Sequence, residues 1–143
     1  MGILMIRTSY YNNPILNQQE TTCVSISYFI SNWVGLRIPR LFHYRELAPP
    51  WELVDGYKKQ EISQNQYIAR YNQQLSKLDV HDTYNKIHRL YGDNITLLCY
   101  EPSDQFCHRH IVASWFRQNE YEVFEFTPPP TPQQLILEAE WEF

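Results

Sequence analysis

The sequence predicts a small α/β domain, three layers deep, with a mainly parallel sheet flanked by helices. Three observations predict it. Short apolar runs with β-branched members, at residues 3–9 and 94–100, have the character of strands buried on both faces. The segments between and after them carry apolar residues at helical spacing. The two kinds alternate as strand, helices, strand, helix, strand, which is the βαβ logic of a parallel sheet. A chain of 143 residues holds one ordinary domain, and its 43% hydrophobic and 15% aromatic content is enough to pack one.

Each element has its own justification. Residues 3–9 (ILMIRTS) form the first strand, and the polar, proline-containing stretch 10–22 is a loop. Residues 23–28 (CVSISY) alternate and form a second strand. Residues 29–48 hold Gly35, Pro39 and several aromatics and are read as an ordered loop with a short helix. Pro49 and Pro50 sit where a helix tolerates proline, ahead of Trp51, Leu53, Val54 and Tyr57. Ser63 and Gln66 have the spacing of a capping box, which starts a second helix carrying Tyr67, Ile68, Tyr71, Leu75 and Leu78. Asp79 caps a third helix, and Gly92 is placed to end it. Residues 94–100 (NITLLCY) are a buried strand. Residues 101–106 turn, with Asp104 as the expected N-cap of a helix running from Cys107 to Asn119. Residues 121–126 alternate as a last strand. Thr127 to Pro132 is a stiff spacer. The tail beyond it alternates with period two, so residues 1–126 are expected as the domain and 127–143 as an extension.

Composition excludes several function classes. The net charge of −4 disfavours a protein that coats duplex DNA. The four glycines are scattered, which removes the dinucleotide fingerprint and the Walker-type loop. Neither HExxH nor GxSxG occurs. Three cysteines without CxxC spacing read as free thiols in a reducing compartment. The apolar N-terminal run is too short for a signal peptide, and Thr21 to Leu36 is too short and polar to span a bilayer. A cytoplasmic protein without a membrane partner is the expectation.

Ligands of an open parallel sheet bind outside the carboxyl ends of its strands. Three segments collect there: Thr8, Ser9 and Tyr10; Ser27 and Tyr28; and Glu101 to Arg109. Cys107, His108 and Arg109 fall in or near a first helical turn, where free N–H groups and the helix dipole favour anions. Three readings of this turn stay open. Arg109 grips a phosphate or carboxylate. Cys107, its thiolate favoured by the same surroundings, acts as a nucleophile, with His108 and Glu101 as acid and base. Or Cys107 is simply buried and Arg109 pairs with Glu101 or Asp104. A phosphatase-type CX5R loop is absent, because Ala113 stands where its arginine belongs. Cys99, Cys107, His108 and His110 are close in sequence, but strand and helix positions are not expected to converge on a metal, and no metal or cofactor is expected. A second cluster, Trp33, Arg37, Arg40, His43, Tyr44 and Arg45, suits a flexible nucleotide or a single strand, or else is a solvated loop. The tyrosine helix (Tyr57, Tyr67, Tyr71) is read as core with hydroxyls at the rim, whereas Tyr10, Tyr11 and Tyr28 are expected to face a ligand.

The motifs resemble a known family. LLCYEPSDQFCHRHIVASWF, residues 97–116, is similar to the signature of the family called domain of unknown function 488: an apolar strand, Cys-Tyr-Glu, a short turn, then Cys-His-Arg-His opening a helix. TSYY at 8–11, VSIS at 24–27, LAPPWELVDGYKK at 47–59 and YIARYNQQLSKLD at 67–79 follow in the family's order, so the similarity covers roughly residues 3–126. The resemblance implies an α/β fold and a site around Cys99, Glu101, Cys107, His108 and Arg109, and says little about activity. Residues 28–46 differ from the family's shorter loop, and 127–143 look like an addition. The function expected first is binding, as sensor or sponge, of a small phosphorylated, nucleotide-derived ligand. Arg109 would hold its phosphate, Arg37, Arg40 or Arg45 would close over it, and Tyr10, Tyr28 or Trp33 would stack on its base. The alternatives are a cysteine- or acid/base-dependent enzyme on a nucleotide or nucleic-acid substrate, and an interaction module whose tail pairs two copies into a homodimer.

Overall fold

In the computed structural model, residues 4–14, 16 and 20–126 are described. Five strands form one parallel sheet: β1 (Met5–Tyr10), β2 (Thr22–Ser25), β3 (Phe42–His43), β4 (Asn94–Cys99) and β5 (Val123–Glu125), in the order β3-β2-β4-β1-β5. Helix α1 (Asn32–Arg37) joins β2 to β3; α2 (Trp51–Lys58), α3 (Gln64–Ser76) and α4 (Val80–Tyr91) join β3 to β4; α5 (His108–Gln118) joins β4 to β5. A small α/β domain is what the alternation predicted.

Parallel strands need crossovers, and crossovers are right-handed. The links β1–β2 and β2–β3 step one way across the sheet, whereas β3–β4 and β4–β5 step the other. They therefore cover opposite faces. β4 shows this directly, since its neighbours in sequence point to different sides. Ile95 and Leu97 belong to the large core with Tyr71, Leu75, Ile87, Val112 and Phe116 of α3, α4 and α5. Leu98 joins Tyr11, Leu16 and Val34 of α1 in a smaller core behind. Buried on both faces, β4 reads as a nearly continuous apolar run from Ile95 to Cys99.

Helix ends follow local chemistry. The Ser63–Gln66 capping box is complete, Asp79 accepts from the Asp82 amide, and Gly92 closes α4 at φ +93°. Two local expectations are corrected. The N-cap of α5 is Cys107, not Asp104, because the turn after Pro102 carries the chain past Asp104 before the helix begins. β2 is shorter than expected, and β3 adds an edge strand inside residues 29–48, paired only through Val24 and Ser25. The spacer and tail, with the homodimer contact expected of them, lie outside the described residues. Among the described residues, no helix is long and apolar enough to cross a membrane.

Candidate functional site

The chain leaves β2 toward one side of the sheet and leaves the adjacent β4 toward the other. A crevice opens where neighbouring connections diverge in this way. Here it is a cleft of about 1160 Å³, bounded by Ser27, Tyr28, Phe29 and Ser31 after β2, by Cys99 to Glu101 and Gln105 to His108 around the β4–α5 turn, and by α2 and the start of α3. Its walls are aromatic. Tyr28 meets Trp51 at 5.6 Å between ring centroids, and Phe106 packs edge-on against both Tyr57 and Tyr67 at 5.2 Å. Trp33 and Tyr100 complete the lining at 6.0 Å from one another.

Sulfur and imidazole form the floor. Cys99 ends β4 and Cys107 caps α5, and their sulfurs are joined as a disulfide. Cys23 is the free cysteine. The expectation of three free thiols is thus corrected: eight positions apart in sequence, a strand end and the following helix start are brought face to face by the turn between them. His108 follows in the first turn of α5. Its Nε2 lies 2.6 Å from the Ile26 carbonyl oxygen, which can only accept, so Nε2 carries the proton. Nδ1 is left with a lone pair 3.8 Å from Cys107 Sγ. Burial, against the pull of that carbonyl, brings the His108 pKa down to about 4, so the ring is neutral at neutral pH. The ligand atoms of Cys99, Cys107 and His108 all lie within 4.8 Å of one another. That convergence is opposite to what strand and helix positions led one to expect. With the disulfide opened, these three donors suit a thiophilic ion, and the Ile26 bond would orient the ring as metal-bound histidines usually require. His110 is not one of the converging group.

Arg109 is placed differently from its expected role. Its side chain is 0% exposed. Nε and Nη2 donate to the two oxygens of Glu125 at 3.1 and 2.8 Å, and Nη1 donates to Cys99 Sγ at 3.2 Å. Tyr10 lies 6.0 Å from the guanidinium, and Thr8 Oγ1 donates to the same Glu125 at 2.7 Å. Ser9 donates to the Phe126 carbonyl and accepts from Asn13. Thr8, Ser9, Tyr10 and Arg109 therefore build a buried polar layer joining β1, β5 and α5, and none of them lines the cleft. The anion grip assigned to Arg109 does not fit a guanidinium already paired in this way. Burial would raise the Glu125 pKa, but the bonds from Arg109 and Thr8 outweigh it and hold the carboxyl below its ordinary value.

The remaining expected residues divide. Tyr28, Trp33, Glu101, Cys107 and His108 line the cleft. Arg37 donates to the Asn13 carbonyl at 3.3 Å, and Arg40 is exposed; neither reaches the lining. Arg45 lines an adjoining groove instead. Tyr11 is buried and lies outside the cleft lining: its hydroxyl sits 2.6 Å from Ser25 Oγ and 2.8 Å from Ser27 Oγ, and burial pushes its pKa up to about 12. Sequence reasoning passed over Trp51, Phe106 and Tyr100. Tyr57 and Tyr67 pack in the core as expected, and both also reach the cleft. The available signal was the cluster of aromatics at the start of α2 and α3, on the elements that follow the sheet's carboxyl edge.

With this geometry in hand, comparison with known proteins decides the family. The family model described as "DUF488-N3a: Active DUF488-N3 subclade" matches residues 16–120. The chain belongs to the DUF488 family. No curated protein and no solved structure matches it significantly. The DUF488 match spans β2 to α5 and so includes the cysteine pair, His108 and most of the aromatic wall.

Proposed function

We propose that this DUF488 protein is a thiol-dependent enzyme acting on a planar, nucleotide-type substrate. One observation carries the reading: Cys99, Cys107 and the open Nδ1 of His108 meet at the floor of an aromatic-walled cleft at the carboxyl edge of the sheet. The matched subclade's description, which calls it active, points the same way. The binding-only reading gives the phosphate to Arg109 and the N-terminus of α5, and in the structure the Arg109 guanidinium is paired with Glu125.

The chemistry follows from the residues. A thiol reductant opens the Cys99–Cys107 disulfide, giving two thiols while the reductant becomes a disulfide. Cys107 then stands at the N-terminus of α5, where the helix dipole favours its thiolate. Nδ1 of the neutral His108 accepts a hydrogen bond from the thiol, whose proton leaves to solvent, and the sulfur adds to an electrophilic double-bonded carbon of the bound ring, the π pair moving to the adjacent ring atom and taking up a proton there. Glu101, at the cleft wall, is placed to exchange a proton with the substrate. The Arg109 guanidinium donates to the Cys99 sulfur, which stabilises that residue as a thiolate.

The test is incubation of the reduced protein with a panel of nucleotides and oligonucleotides, followed by native mass spectrometry and identification of what is released. A modified product that disappears in Cys107→Ser and persists in Cys23→Ser is the expected result. An intact ligand recovered from every incubation makes the cleft a sequestering site and removes the catalytic reading.

A further inference from the structure

The cleft is continuous with a second groove of about 1000 Å³, and Tyr28, Phe29 and Pro49 line both. This groove runs beside α2 and α3 and carries Arg45, Arg70 and Lys77, with Glu52 as its one carboxylate among the described residues. All three cations are exposed, and among the described residues none has a side-chain hydrogen bond or an ion pair. Elsewhere Lys59, Lys86 and Arg109 are matched by Asp55, Glu46 and Glu125. In a chain of net charge −4, an unmatched basic strip leading into an aromatic cleft is a local reversal of sign.

We propose that the groove carries the phosphate backbone of a single-stranded nucleic acid, one base of which enters the cleft. The proposal rests on the reading of the cleft given above and names its substrate class. Stacking surface stands at the junction: Phe29 is 63% exposed, and Tyr28 and Trp51 are about half exposed beside it. Aromatic faces beside a basic track are how proteins hold single strands. A mononucleotide lacks the neighbouring phosphates that cations outside the cleft would meet. A duplex keeps its bases stacked and paired, away from the buried residues Cys99 and Cys107, which are only 1% and 3% exposed.

Fluorescence anisotropy with the reduced full-length protein tests this, using a mixed-sequence ten-nucleotide DNA, the matching RNA, a blunt hairpin duplex, a mononucleotide and a polyglutamate peptide. The single strands are expected to bind best. Three neutralised phosphates give a log–log salt slope of about −2, so affinity falls roughly twentyfold between 50 and 200 mM salt. The triple variant R45E/R70E/K77E is expected to lose at least tenfold in affinity and most of the slope. Trp51→Ala is expected to lose about fivefold with the slope kept. The exposed substitution R89E controls for general charge. All these positions are exposed, and an unchanged circular dichroism melting curve verifies the fold of each variant. A preference between RNA and DNA assigns the sugar and supports the proposal either way. Binding of the mononucleotide, the hairpin or polyglutamate as tight as that of the single strands overturns it, as does a triple variant that binds like the parent. Product formation on mononucleotides alone removes this inference and keeps the enzyme. Salt-sensitive strand binding without any product keeps the groove and removes the enzyme.

Discussion

Arg109 and His108 are neighbours in sequence, yet one side chain is held charged and the other neutral. The guanidinium is charged, fully buried and matched by Glu125. Removing one member of such a pair leaves the other charge unmatched, so Glu125→Gln is expected to cost about 3 kcal/mol in urea unfolding. The apolar double variant R109M/E125L should recover most of that loss; a single variant as stable as the parent would sink this account. The imidazole, by contrast, is buried neutral. Its folded pKa of about 4 lies below the ordinary 6.5, so the unfolded chain binds an extra proton between those values. The stability this provides is complete above about pH 6.5 and is lost as pH falls toward 4, by roughly 3 kcal/mol. Urea unfolding at pH 7 and pH 4.5 should show that fall in the parent and a flatter profile in His108→Gln, whose amide can still donate to Ile26. Neither role was legible in the sequence. Arg109 had nearby carboxylates at Glu101 and Asp104 to choose from, and its actual partner arrives on β5 after the whole of α5.

At the scale of elements, what depends on three or four residues was readable. The capping box at Ser63 and Gln66, the Asp79 cap and the positive φ at Gly92 all close rings between near neighbours. Ser63→Ala is therefore expected to lower stability by about 1 kcal/mol, measured by thermal unfolding. Strand β3 escaped notice because two residues carry no period, and its pairing partner, Val24–Ser25, is set by the sheet. Likewise Cys107 caps α5 without a side-chain cap bond, so the cap expected at Asp104 was misplaced although the helix span was readable.

At the scale of the whole molecule, the alternation of strands and helices implied a parallel sheet, but not the order of its strands. The cleft exists because β2 and β4 are adjacent while their continuations part. Residues distant in sequence, Tyr28, Trp51, Tyr67 and Phe106, meet there only once that adjacency is set, which is why the lining was half seen. The cysteines were misjudged for the same reason, since counting them says nothing of where a strand ends and a helix begins. Thiol titration of the unreduced, denatured protein is expected to find one reactive group, Cys23, and to find three after reduction. Three from the start would mean that the pair is not joined.

The bond between Cys99 and Cys107 encloses residues 100–106, the stretch that carries Tyr100, Glu101 and Phe106 into the cleft wall. A sulfur held in a disulfide is shielded from the irreversible steps toward sulfinic and sulfonic acid. Under oxidative stress both sulfurs would thus be stored rather than damaged, capped in the bond that also ties the wall. A single reduction by thiols would return both at once, so its working state would follow the thiol supply of its surroundings.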